Sequence, residues 1–193
     1  DRQMGTLSDM VSQFEYSNDS TQINYQGRPV RVAPIAYADL IKWFTNRSQG
    51  LPAYVIVDMV TQEATVVRLE DGMKYSFSEP LNRNIVRHLR FQYPTYMFGT
   101  PQFEIDEDGR PWWIAPRIIK TIGLFGGTDI KGAVLCNAIT GESTYYDIAD
   151  VPSWVDNVYT PQLIMEQYDY HGTLINGFIN SVLGQRDVTV TTD

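Results

Sequence analysis

The chain has 193 residues, 43% hydrophobic and 20% charged, the composition of a folded globular protein long enough to bury a core without covalent staples. Its formal charge of -8 describes an acidic surface that repels phosphate backbones and anionic headgroups, which argues against nucleic-acid and peripheral membrane binding. One cysteine, Cys136, excludes an internal disulfide, and no stretch approaches the roughly 20 apolar residues of a membrane span.

In chain order, Leu7, Met10, Val11 and Phe14 recur at i, i+3, i+4 and i+7, one apolar stripe of a helix. Gln22–Pro34 (QINYQGRPVRVAP) reads as a strand, a turn at Gly27 and a second strand that the final proline should end. After the segment Ala36–Gly50, Tyr54–Leu69 (YVIVDMVTQEATVVRL) reads as a second hairpin. Ile85, Val86, Leu89 and Tyr93 predict another helix, closing near Pro94. Glu104–Pro116 (EIDEDGRPWWIAP) predicts a hairpin turning at Gly109, and Ala133–Ile148 (AVLCNAITGESTYYDI) one turning at Thr140-Gly141-Glu142. Leu174, Ile175, Phe178, Ile179, Val182 and Leu183 form the clearest helical stripe, closed by Gly184, and Val188–Thr192 reads as a strand.

These elements repeat. At an offset of 82 the first and third hairpins share Ile23/Ile105, Gly27/Gly109, Arg28/Arg110, Pro29/Pro111, Ala33/Ala115 and Pro34/Pro116. At an offset of 79 the second and fourth share Val55/Val134, Thr61/Thr140, Glu63/Glu142 and Thr65/Thr144. Two matches in the same order argue for duplication. The expected fold is α+β: two tandem helix-plus-two-hairpin repeats with an antiparallel sheet and helices packed on one face. The expected division is a first repeat over 1–80, a second over 81–159, and a helix and strand over 160–193 that open a third. Because the chain starts on Asp1, the expectation is a piece cut from a longer protein at both ends, with hydrophobic spans upstream.

A helix followed by an acidic-glycine hairpin (Glu104–Trp113) and a strand running into Thr140-Gly141-Glu142 resembles the PepSY and PepSY-like modules of bacterial envelope proteins. The stretches APIAYADLIKW, HLRFQYPTYMFG and DVPSWVDNVY also resemble the soluble part of multi-pass membrane proteins of Gram-positive bacteria. The resemblance implies small tandem α+β units on the outer side of the membrane that inhibit or modulate peptidases. It implies a non-catalytic interaction or sensory domain, a protein or envelope partner and attachment through segments outside this chain; with two His and one Cys, no metal or cofactor site is expected.

The residues themselves offer little chemistry. Glu104, Asp106, Glu107 and Asp108 are the densest carboxylates, but the EF-hand spacing is absent and Asn24-Tyr25-Gln26-Gly27 at the matching turn has none, so a solvated hairpin tip is the simpler reading. Gly123–Thr128 lacks the Gly-Lys-Ser/Thr of a phosphate loop and reads as a connector. His88 and His171 have no partner at metal-ligand spacing; His88, beside Arg87 and Arg90, reads as solvent-facing. Cys136 falls in an apolar run, where a thiol is inert, which weakens any Cys136–His171 pair. No Gly-x-Ser-x-Gly elbow supports a hydrolase with a dispersed site. What stands out is aromatic: where the first repeat has Val30, Arg31, Val66 and Val67, the second has Trp112, Trp113, Tyr145 and Tyr146, with Trp154 just beyond. Neighbouring strand residues face opposite sides, so one of each pair should be core and the other free to stack on a glycan or peptide.

Overall fold

The computed structural model describes residues 14–16, 19–37, 48–121, 127–159 and 168–169. The helical stripes over 174–183 and most of 7–14, and the strand over 188–192, lie outside them. Phe14, expected to finish a helix, instead opens strand β1 (Phe14–Tyr16). Strands β2 (Thr21–Tyr25), β3 (Arg28–Tyr37), β4 (Leu51–Asp58) and β5 (Ala64–Met73) follow, then a short 3-10 turn (Leu81–Arg83) and helix α1 (Ile85–Gln92). Strands β6 (Met97–Phe98), β7 (Gln102–Ile105), β8 (Pro111–Lys120), β9 (Thr128–Asn137) and β10 (Ser143–Asp147) come next, followed by a 3-10 turn (Ile148–Asp150). The fold is α+β, with two antiparallel five-stranded sheets.

Each sheet has the same plan. In the first, β1 and β2 both pair with β3, and β3-β4-β5 run on from there; in the second, β6 and β7 both pair with β8, and β8-β9-β10 run on. Register matches as well. Val30 faces Asp58 and Trp112 faces Asn137, positions 82 and 79 apart. Ala53 faces Arg68 and Gly132 faces Asp147, both members 79 apart.

The turn after β4 recurs after β9 bond for bond. Asp58 Oδ1 accepts from the N–H groups of Val60 (2.8 Å) and Thr61 (2.9 Å), and Asn137 Oδ1 accepts from those of Ile139 (2.9 Å) and Thr140 (3.0 Å). The Asp58 N–H donates to Glu63 O and the Asn137 N–H to Glu142 O, each at 2.9 Å. A short side-chain acceptor that satisfies two successive backbone donors is what makes Asp and Asn turn formers. Met59 N–H to Pro29 O and Ala138 N–H to Pro111 O, both 3.0 Å, tie each turn to the preceding strand.

The prolines do not end their strands as expected. β3 continues through Pro34 to Tyr37, and β8 through Pro116 to Lys120. β2 pairs with β3 up to Val32 and β1 from Ile35, so Pro34 lies in the gap between them. Pro116 lies in the matching gap, between β7, which reaches Ile114, and β6, which begins at Arg117. A proline is tolerated in a ladder where no partner needs its missing N–H. The carbonyl of Pro116 points into that gap and accepts from the Gly99 N–H at 2.9 Å.

One core joins the two sheets. Val30, Val32 and Tyr54 from the first pack with Phe103, Trp113, Val134 and Cys136 from the second, and α1 adds Ile85 and Leu89. The helix starts where Asn84 caps the Arg87 N–H at 3.3 Å and stops at Tyr93, before Pro94. The Tyr54 hydroxyl crosses between the sheets to Gly109 O at 2.8 Å.

Gly27 and Gly109 both have φ +78 in the turns of β2–β3 and β7–β8. A Cβ at Gly27 would meet nothing within 4 Å, whereas one at Gly109 would lie 3.1 Å from the Tyr54 hydroxyl. Gly27→Ala should therefore cost about 1 kcal/mol, for backbone conformation alone. Gly109→Ala should cost more, since it also displaces the Tyr54 bond. Urea denaturation of the two variants measures the difference; equal costs would show that the Tyr54 contact is energetically idle.

Candidate functional site

The five aromatics singled out by sequence do not form one strip, because the second sheet passes between them. Trp113 is fully buried: its Nε1–H donates to Tyr75 O at 2.8 Å and its ring packs edge-on against Phe77 and Phe103. Tyr145 lies on the same side, 5.5 Å from Tyr96, and donates to Asp147 Oδ1 at 2.7 Å. Trp112, Tyr146 and Trp154 are half-buried on the opposite side, packed around Ile114, Ala133, Leu135 and Val158. Trp112 lies 6.0 Å from Trp154 and donates from Nε1 to Asp106 Oδ2 at 3.1 Å.

Trp154 belongs to the segment Val151–Val158, a strap that leaves β10 and crosses back over this face. It borders a cleft of about 590 Å³ between the two glycine hairpin tips. Asn24–Gly27 form one wall, Glu107 and Asp108 the other, and Trp154 and Asp156 the base of the strap. Asp108 is held by Arg110 at 2.9 Å, both well exposed.

The acidic run divides in a way the sequence reading missed. Only Glu107 and Asp108 are at the solvated tip; Glu104 and Asp106 are buried. Asp106 Oδ1 accepts from the N–H groups of Asp108 (3.0 Å) and Arg110 (2.8 Å), so this carboxylate is spent on the turn and on Trp112. Glu104 sits opposite Trp112 on the strap side of the sheet. Its Oε2 accepts from the Asp156 N–H at 3.0 Å and its Oε1 from the Asn157 N–H at 2.9 Å. Burial outweighs those two bonds and pushes its carboxyl up to about 7. The signal was legible in principle: between Phe103 and Ile105, Glu104 must face the other side of the sheet, and that side carries Trp112 and Ile114.

Cys136 and His88 have structural roles. The Cys136 thiol is fully buried and burial pushes it up to about 12, far from a thiolate nucleophile. His88 is not solvent-facing but half-buried: its ring is 4.4 Å from Tyr75 and Nε2 is bonded to Gly141 O at 2.8 Å, joining α1 to the β9–β10 turn. His171 and residues 122–126 of the glycine run lie outside the described residues; Thr128 opens β9. Among the described residues no three His, Cys, Asp or Glu side chains are grouped to hold a metal. In comparisons with protein-family models, curated proteins and solved structures, nothing matches the chain.

The raised Glu104 value has a definite consequence for stability. The folded state holds this proton up to about pH 7, the unfolded state only to about 4.5, so between those values the native state binds more protons and stability falls as pH rises. Glu104→Gln should remove that component, so the variant gains on the wild type from pH 4.5 to 7 by up to about 3 kcal/mol. Chemical denaturation across that range measures it; parallel pH profiles would show that the carboxyl titrates normally.

Proposed function

We propose that the chain is a non-catalytic interaction domain made from a duplicated unit, which engages a peptide or glycan at the cleft between its two hairpin tips. The observation that carries this reading is the composition of the cleft: Trp154 and Tyr25 offer aromatic faces beside the carboxylates of Glu107, Asp108 and Asp156. Aromatic faces ringed by hydrogen-bond acceptors recognise sugars and cationic side chains. A nucleophile–base pair is not what this arrangement offers, since Cys136 is sealed in the core and His88 is bonded to a backbone carbonyl.

The equal strand plan, register and turn bonding of the two sheets support the duplication. The likeness to PepSY-like modules supports placement on the outer face of a bacterial membrane, with an envelope protein such as a peptidase as partner. A hydrolase with a dispersed site is the rival reading.

Titration with oligolysine and with N-acetylglucosamine oligomers, followed by tryptophan fluorescence, tests the cleft. One class should saturate, and Trp154→Ala should weaken it about tenfold, or ~1.4 kcal/mol. Binding unchanged in the Trp154 variant would move the site elsewhere, and turnover of either probe would favour the hydrolase.

A further inference from the structure

A second site lies on the far side of the second sheet, away from the tip cleft and independent of it. Helix α1 and strand β6 enclose a groove of about 480 Å³ whose walls include Phe77, Val86, Tyr96, Met97 and Phe98, with Arg90 at its rim. Met97 is 50% exposed there, and Phe91 on the outer crest of α1 is 74% exposed. No carboxylate lines the groove. In a chain of net charge -8, the whole stretch from Pro80 to Phe103 contains no Asp or Glu, while α1 displays Arg87 and Arg90. Both arginines are exposed, and neither has a carboxylate within ion-pair distance among the described residues. A third cation, Arg117, lies 3.7 Å over the Tyr96 ring and pairs across from Phe98.

The backbone beside the groove is also open. β6 ends the order of the second sheet, and no strand among the described residues pairs with its outer edge. An open edge next to an apolar groove is the arrangement that accepts an added strand, with main-chain bonds for affinity and a pocket for alternate side chains.

We propose that this groove docks an extended acidic peptide as an additional strand on β6. One apolar side chain enters between Phe77 and Phe98, and carboxylates on the neighbouring positions meet Arg87 and Arg90. Charge complementarity selects this occupant. A self-contact or an anionic lipid surface would offer the same negative charge, but only an extended peptide also uses the open β6 backbone and places a side chain in the concavity.

The test uses the whole chain and a labelled peptide of alternating leucine and glutamate, with its leucine–lysine counterpart as control, read by fluorescence anisotropy. The acidic probe should bind saturably and weaken with added salt. The double variant Arg87→Glu/Arg90→Glu, exposed at both positions and checked for an unchanged melting point, should lose the acidic probe about tenfold or more and gain the basic one. N-methylation of alternate amides in the acidic probe should abolish binding if a strand is added. Equal affinity for the two probes, insensitivity to the arginine change, or full binding of the methylated probe would overturn the proposal. So would arginine-dependent binding to phosphatidylglycerol vesicles without peptide binding, or arginine-dependent self-association on a sizing column.

Discussion

Trp113 is where the two sheets become one body. It stands in the middle of β8, is closed off from solvent, and touches Phe103 from its own sheet and Phe77 from the connection that leads out of the first. Its single polar atom is satisfied by Tyr75 O, so the largest buried side chain among the described residues carries no unpaired donor. The same connection donates the N–H groups of Lys74 and Tyr75 to Ala138 O, at 2.9 and 3.0 Å. The end of the first half is thus stitched to the turn of the second before α1 begins. Truncating the indole would leave a large void beside Phe77 and Phe103 and an unpaired carbonyl, and such changes cost about 3–5 kcal/mol. The stability of either sheet therefore depends on the presence of the other.

The strap does for the outside what Trp113 does for the inside. A sheet edge with open backbone groups invites unwanted pairing. Here the side chains of Asn157 and Asp156 reach the β2 backbone: Asn157 Nδ2 donates to Gln22 O at 2.8 Å, and the Asn24 N–H donates to Asp156 Oδ2. The strap's own backbone is held from below by Glu104. One buried carboxylate thus positions the segment that closes an edge of the first sheet and forms the base of the tip cleft. This explains how a charged residue comes to lie in a strand with Phe103 and Ile105 as neighbours. A carboxylate accepts from two consecutive N–H groups, which no apolar side chain does.

Much of this was legible in the residues. Hairpins, turn glycines and the helix before Pro94 follow from local chemistry, because Gly, Asp, Asn and Pro act on the backbone within a few residues of themselves. The matching offsets carried the shared register without any three-dimensional information. Other features depended on contacts distant in sequence. Pro34 and Pro116 read as strand ends because a single sequence does not show a gap between two partner strands. His88 read as exposed because its partners, Tyr75 and Gly141, lie far away in the chain. Alternation separates Trp112 from Trp113 and Tyr145 from Tyr146 in the sequence alone, but only strand pairing tells which members share a face. Residues 7–13 and 174–193, where further helices and a strand were expected, fall outside the described residues.

The two halves differ most where their plans run out. Tyr75 and Trp154 are 79 positions apart, each a few residues beyond its last strand, yet they go to opposite sides of the second sheet. Tyr75 turns inward, packs at a tilt against His88 and accepts from Trp113 through its carbonyl. Trp154 crosses the outer face, meets Trp112 and stops at the cleft. The difference follows from what each segment must connect. The first leads into α1, which packs its Ile85 and Leu89 stripe into the shared core, so its aromatic is drawn in with the helix. The second leaves β10 with the core already full and covers the remaining apolar face of Ile114, Ala133 and Leu135 instead. A side chain placed there is half-buried by its own sheet and half open to solvent. Where two sheets share a plan this closely, the chemistry that distinguishes one from the other is carried by the segments that leave them.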